Sequence, residues 1–145
     1  MTLMLRPATS DDARRLFDWR NDPETRANSI DTEPVRWNSH IAWFNSSLTA
    51  PRRQILIAEI DGVPVGTLRI DDTETGREMS WTVAPEARNQ GNAAKIVKMG
   101  LKLGGPHAIA KIKPDNAKSR RVADQCGFVF DRMEDGLMVM KRGDQ

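Results

Sequence analysis

The sequence predicts a mixed α+β domain, a mostly antiparallel sheet flanked by helices, in the order β-α-α-β-β-β-α-β-α-β-β. Three observations carry this. Short apolar blocks separated by turn residues, at 55–60, 63–70 and 78–83, read as three strands joined into a meander. Two later segments, 91–103 and 116–126, switch to helical spacing. A further strand, 108–112, lies between those helices, so the segment from Glu78 to Ile112 reads as a right-handed parallel crossover.

The elements follow in order. Leu3-Met4-Leu5-Arg6 is a short first strand stopped by Pro7. Thr9 or Ser10 then caps a helix with Asp11 and Asp12 in its first turn, where the dipole favours acids. Ala13, Leu16, Phe17 and Arg20 share one face of it, and Asp22-Pro23 ends it. A polar loop leads to a second helix, Val35 to Leu48, with Trp37, Ile41 and Phe44 spaced by four and three. Pro51 breaks the chain ahead of the meander. Its first hairpin turns at Asp61-Gly62 and its second between Asp71 and Gly76. In the third helix Ala93, Val97, Gly100 and Leu101 face inward and Lys95, Lys98 and Lys102 outward, until Gly104-Gly105-Pro106 stops it. Asp115 or Asn116 caps the fourth helix, which ends at Gly127. Phe128-Val129-Phe130 and Leu137-Met138-Val139-Met140 are the last strands, around a turn at Glu134-Asp135-Gly136.

With 145 residues, 39% of them apolar and 29% charged, the chain fits one domain, 1–145, with a core of its own. No apolar run approaches the ~18–20 residues of a membrane span, and the start lacks the charged-then-apolar order of a signal peptide. The expectation is a cytoplasmic protein with no membrane partner. One cysteine, Cys126, excludes an intramolecular disulfide framework and a multi-cysteine zinc site. His40 and His107 are isolated and have no metal-ligand spacing, so no metal is expected. A net charge of +2 is too small to argue for nucleic acid. Basic residues do cluster from Lys111 to Arg121, a run that suits either a solvated face or a polyanionic ligand.

The informative segment is Val83-Ala84-Pro85-Glu86-Ala87-Arg88-Asn89-Gln90-Gly91-Asn92-Ala93, which joins a strand to a helix. Gly91 allows close approach of a ligand to the backbone and Ala93 adds little bulk. Free N–H groups at the helix start, with the positive end of its dipole, make an anion site suited to a diphosphate. Residue physics alone leaves an ordinary helix start with small residues equally open. Gly-Lys-Ser/Thr is missing, and so is three-glycine dinucleotide spacing.

Arg88-x-x-Gly91-x-Ala93, after Val83-Ala84-Pro85, resembles the acetyl-coenzyme A loop of the GCN5-related N-acetyltransferases, or GNAT family. A second family block is present too: Asn116-x-x-Ser119, a helix, then Gly127-Phe128. The predicted element order is similar to the family fold from end to end. The resemblance implies a set of roles. The backbone of Trp81, Thr82 and Val83 would pair with the pantetheine arm, with the Val83 N–H toward the thioester oxygen. The N–H groups of Arg88, Asn89, Gln90, Gly91, Asn92 and Ala93 would hold the pyrophosphate. Asn116 and Ser119 would touch the coenzyme near its sulfur, and Lys95, Lys118 or Arg120 would meet the outer phosphate.

An amine resembling lysine has a pKa near ~10.4 and must lose a proton before it attacks. Glu78 is the favoured base, since family bases often lie at that strand start; the alternative is an ordinary strand-end glutamate paired with Arg77 or Arg69. For the acid the sequence departs from the family. The usual tyrosine position is Ala123, and the chain has no tyrosine at all. Ser119, Cys126 or a water is left to protonate the thiolate, and coenzyme A is a tolerable leaving group without help. Cys126 reads as packing rather than as an acetyl carrier.

The amino-terminal third sets the acceptor in this family. Here Trp19-Arg20-Asn21-Asp22-Pro23, Arg26 and Trp37 to Phe44 resemble the branch acting on nucleotide-linked amino sugars, and the enzymes acetylating ribosomal-protein amino termini. Arg20 or Arg26 would clamp a diphosphate, Trp37 or Trp43 would stack on a base or sugar, and Asn21 either contributes or caps the helix. The implied partners are acetyl-coenzyme A and a small-molecule or peptide amine, and a homodimer is admitted. A non-catalytic acyl-coenzyme A module stays open because the tyrosine is missing.

Overall fold

The computed structural model describes residues 2–103 and 107–142. Seven strands form one sheet: β1 (Leu3–Pro7), β2 (Arg53–Ile60), β3 (Val63–Thr73), β4 (Gly76–Val83), β5 (Ala108–Ile112), β6 (Val129–Glu134) and β7 (Leu137–Arg142). Their order across the sheet is β1-β2-β3-β4-β5-β7-β6. Every neighbouring pair is antiparallel except β4 and β5, which run parallel as the crossover requires. The helices are α1 (Ala13–Asn21), α2 (Pro23–Ala27), α3 (Trp37–Leu48), α4 (Asn92–Leu101) and α5 (Ala117–Gln125).

The mixed α+β architecture is the one the sequence predicts, with three differences. The stretch after Asp22 is not all loop: it opens with α2, a helix of five residues. Pro23 starts it with its ring-fixed φ, and the Asp22 carboxylate accepts the N–H groups of Glu24 and Thr25. No periodicity announces so short an element. The first helix begins with a 3-10 turn at Ser10–Asp12 before α1. On α4 the buried residues are Asn92, Ile96, Val97 and Gly100, with Leu101 partly buried against the same core, so Asn92 and Ile96 join the expected face. The expected Gly104-Gly105-Pro106 stop lies outside the described residues.

The central strand β2 explains how two helix layers share one sheet. Ile55, Leu56, Ile57 and Ala58 are all buried, so neither face of the strand meets water. Leu56 and Ala58 join Leu68, Ile70, Met79, Ile96 and Val97 in the larger core. Ile55 and Ile57 point the other way, into a smaller core with Ala13, Leu16 and Phe44. The sheet is therefore covered by α4 on one face and by α1 and α3 on the other.

Asp12 ties the entry of α1 to the sheet. Its carboxylate accepts from the Thr9 N–H at 2.9 Å and pairs with Arg6 at 2.9 Å and Arg15 at 2.6 Å. Its side chain is only 1% exposed. The Arg6 hydrogen bonds hold the Asp12 carboxyl below the usual carboxylate range, outweighing burial. Such a depressed carboxyl stabilises the fold fully at neutral pH, and the contribution fades as pH falls below about 4. Asp12→Asn is expected to cost about 2–3 kcal/mol in urea unfolding at pH 7, less than a fully buried pair because both arginines reach solvent. The difference from the parent chain should shrink when the same titration is run near pH 3.

Candidate active site

Strands β4 and β5 pair only at Arg77 with Ala108 and Glu78 with Ile109. Beyond Glu78 they diverge, so among the described residues the β4 edge from Met79 to Val83 has no strand partner on that side. The opening has two compartments. One, of about 360 Å³, runs from Trp81-Thr82-Val83 past Arg88, Asn89, Gly91, Asn92 and Ala93 to Asn116, Lys118 and Ser119. The other, of about 420 Å³, lies toward α1 and α3 and is walled by Arg20, Arg26, Trp43, Arg69, Ser80 and Lys111. Thr25, Trp81, Thr82, Asn116 and Ser119 line both. The two spaces thus meet at the open edge of β4 and the start of α5.

The first compartment fits a ligand with a diphosphate and an extended amide arm. Gly91 is the N-cap of α4 with a φ of +76°. A Cβ there would meet no atom within 4 Å. The N–H groups of Asn92 and Ala93, in the first helical turn, have no acceptor within the helix. Asn89 also takes a left-handed φ of +61°, which turns the loop toward the helix start. The unpaired edge at Trp81 to Val83 offers main-chain groups to an extended chain. At α5, the Asn116 side chain accepts the Ser119 N–H at 3.1 Å and so caps that helix while lining the junction.

The loop residues were expected to act through their N–H groups, and several of their side chains are used within the protein. Gln90 does not line the compartment: its amide reaches back to the Glu86 carbonyl. The Asn92 side chain is buried and donates to the Ala87 carbonyl at 3.0 Å. The Arg88 guanidinium leaves the loop for α2, where it meets Asp22, Glu24 at 3.2 Å and the Thr25 hydroxyl at 3.1 Å. Burial pushes the Asp22 carboxyl up, but the Arg88 hydrogen bond and the α2 N–H groups outweigh it and hold the carboxyl below its usual range. Of the three cations suggested for an outer phosphate, Lys118 lines the compartment, together with Arg121, which the sequence reading passed over. Lys95 does not line it, and Arg120 donates to the Pro114 carbonyl.

In the second compartment Arg20, Arg26 and Trp43 stand in the wall. Asn21 does not. Its amide is used on both sides of Val35, accepting the N–H at 2.7 Å and donating to the carbonyl at 2.9 Å. That clamp fixes the loop carrying Asp31 and Glu33, two wall carboxylates the sequence reading missed. Glu78 sits at the closed end of the divergence and lines neither compartment. It is ion-paired, not with Arg77 or Arg69, but with Lys111 at 3.5 Å; Lys111 also meets Glu134 at 3.4 Å. The Glu78 charge is the main cause of a raised Lys111 ammonium pKa. Ser80, two residues on from Glu78 and hence on the same face of the strand, does reach the wall.

Ala123 is fully buried in the larger core and leaves no acid at that position; Cys126 is buried beside it, its thiol pushed up by burial. His40 is buried among Phe17, Trp37, Trp43 and Phe44, with Nε2 2.9 Å from the Ala13 carbonyl. Burial lowers its pKa and keeps the ring neutral. No group of three or more metal-ligating side chains occurs among the described residues.

A family model described as "Acetyltransferase (GNAT) domain" matches residues 2–129. A protein of Methanocaldococcus jannaschii, described as "Uncharacterized protein MJ1062", is 23% identical over 134 residues, which are 87% of this chain and 28% of that protein. The chain thus spans little more than a quarter of that relative. Among solved structures, spermidine N-acetyltransferase from Vibrio cholerae in complex with coenzyme A and spermine is 17% identical, with 96% of this chain and 92% of that one covered and a TM-score of 0.82. The structure of AAC(6')-Ib with paromomycin and acetyl-coenzyme A is also 17% identical, covering 99% and 94%, with a TM-score of 0.87. At these identities the two structures share the fold.

Proposed function

The chain belongs to the GNAT acetyltransferase family, and from that premise we propose that it transfers acetyl from acetyl-coenzyme A to the primary amine of a nucleotide-linked amino sugar, by direct attack in a ternary complex. Enzymes of this family are acetyl-coenzyme A-dependent N-acetyltransferases that need no metal. One observation supports the reading most: a compartment with a diphosphate-ready helix start and a second compartment share a wall at Trp81, Thr82, Asn116 and Ser119. A thioester lying along the open β4 edge would present its carbonyl where an amine from the other side arrives.

The chemistry assigns roles along that wall. The acceptor enters as an ammonium ion and must lose a proton before its nitrogen can bond to the acetyl carbon. We assign that proton to Glu78, through water on the Ser80 face of β4. As the C–N bond forms, negative charge grows on the acetyl oxygen, and we assign its stabilisation to a main-chain N–H of β4 such as that of Val83. The C–S bond then breaks and the sulfur leaves as thiolate. The bonded nitrogen still carries one proton too many, and the Ser119 hydroxyl, which has no hydrogen-bond partner among the described residues and lines both compartments, is the group assigned to relay that proton to the thiolate, taking it up as it gives its own.

The decisive experiment is thiol release from acetyl-coenzyme A with UDP-linked amino sugars, free polyamines, aminoglycosides and amino-terminal peptides as acceptors. Release with the sugar nucleotides first among these is expected. Tight coenzyme binding without release on any amine would make the protein a binding module instead.

A further inference from the structure

The acceptor compartment has a charge pattern that the acetyl-transfer reading does not itself require. Four cations stand in its wall, Arg20, Arg26, Arg69 and Lys111, against two carboxylates, Asp31 and Glu33. Lys111 is matched by Glu78 and Glu134 behind it. The arginines are matched far less well. Arg20, Arg53 and Arg69 converge on the Trp43 ring, at 5.1, 5.8 and 5.9 Å from its centroid. One carboxylate, Asp71, serves two of them, taking Arg53 Nε at 2.6 Å and Arg69 Nε at 2.9 Å. Arg53 spends a further nitrogen on the Ser47 hydroxyl.

Arg20 has neither a hydrogen bond nor an ion pair among the described residues. Burial and the neighbouring Arg69 charge push its guanidinium below its ordinary pKa, and the Asp31 charge offsets this only in part. Arg69 uses only Nε, so its two terminal nitrogens remain for the cleft. Arg26, across the same space, has a buried Nε with no partner among the described residues.

We propose that Arg20 and Arg69, gathered around Trp43, form an oxyanion subsite that selects amine acceptors carrying a phosphate or carboxylate and disfavours polycationic amines. The proposal rests on the acetyl-transfer reading for its substrate, but its charge logic is independent of it. An oxyanion between two guanidiniums accepts charge-assisted hydrogen bonds from both planar forks and relieves their repulsion. A polyamine brings further positive charge to the same place. Asp71 acts as the positioning residue, since its grip on Nε aims the other end of Arg69 outward.

The test pairs turnover with binding. Thiol release is measured with glucosamine, glucosamine 6-phosphate, 2-amino-2-deoxyglucuronic acid, UDP-glucosamine and spermidine. The same compounds are titrated calorimetrically into the protein saturated with coenzyme A. Glucosamine 6-phosphate is expected to bind roughly 10–100-fold tighter than glucosamine, the range of one or two hydrogen bonds to a charged group. The three anionic compounds show whether phosphate, diphosphate or carboxylate fits best. In Arg20→Gln and in Arg69→Gln, checked for folding by thermal melting, that ratio should fall at least about tenfold. Arg20→Gln removes no protein hydrogen bond, so it remains informative if Arg69→Gln unfolds. Spermidine binding or reacting as well as the anionic amines, or a ratio unchanged in Arg20→Gln, overturns the subsite. If no amine releases thiol but the binding preference persists, acetyl transfer fails and the subsite stands.

Discussion

Glu78→Gln is expected to leave the affinity for coenzyme A unchanged and to cut turnover roughly 10²–10⁴-fold near neutral pH. The substitution keeps the size and shape of the side chain and removes its capacity to take a proton. Lys111 keeps Glu134 as an ion-pair partner, so the closed end of the β4–β5 divergence is not left with an unmatched ammonium. Calorimetry with coenzyme A gives the first quantity and thiol release the second. The deficit should also narrow as pH rises toward ~10, where the acceptor amine sheds its proton unaided. Undiminished turnover at pH 7 would pass the role to Asp31 or Glu33, the carboxylates that line the acceptor wall.

Gly91→Ala is expected to weaken coenzyme A binding at least about tenfold while costing only about 1 kcal/mol of stability. The stability cost is that of placing a Cβ at a left-handed φ. The affinity cost arises because the space next to Gly91 is open, and a diphosphate approaching the α4 amides would have to share it with a methyl group. Gly62→Ala is the control. Gly62 has a φ of +80° and equally open surroundings, but it lies in the β2–β3 hairpin turn. The two variants should lose similar stability, and only Gly91→Ala should lose affinity in calorimetric titration.

Legibility in the sequence followed the range over which each feature is specified. The hairpins were readable because Asp61-Gly62 and Asp135-Gly136 each place two successive residues at positive φ, a requirement met within two positions. The same holds for the loop to α4, where a glycine cap and small neighbours are a local pattern, and for Asn116 at the start of α5. Helix α2 was missed because five residues held by one carboxylate cap have no periodicity. The acceptor compartment was only half visible. Arg20, Arg26 and Trp43 lie on amino-terminal helices, but Arg69 and Lys111 come from strands, and Asp31 and Glu33 from a loop that Asn21 pins. Glu78 was read beside the wrong arginines because its partner Lys111 lies across the parallel β4–β5 step, thirty-odd residues on. No spacing within a single element encodes such a pairing.

Arg88 reaches from the loop ahead of α4 to Asp22, Glu24 and Thr25, and so links the walls of the two compartments. Thr25 stands in the wall of both compartments. A linkage of that kind works equally in both directions: the factor by which a filled coenzyme site improves or impairs acceptor affinity is the factor by which the acceptor changes coenzyme affinity. Two titrations, run in opposite order of addition, would measure the sign and size of any coupling between the two compartments.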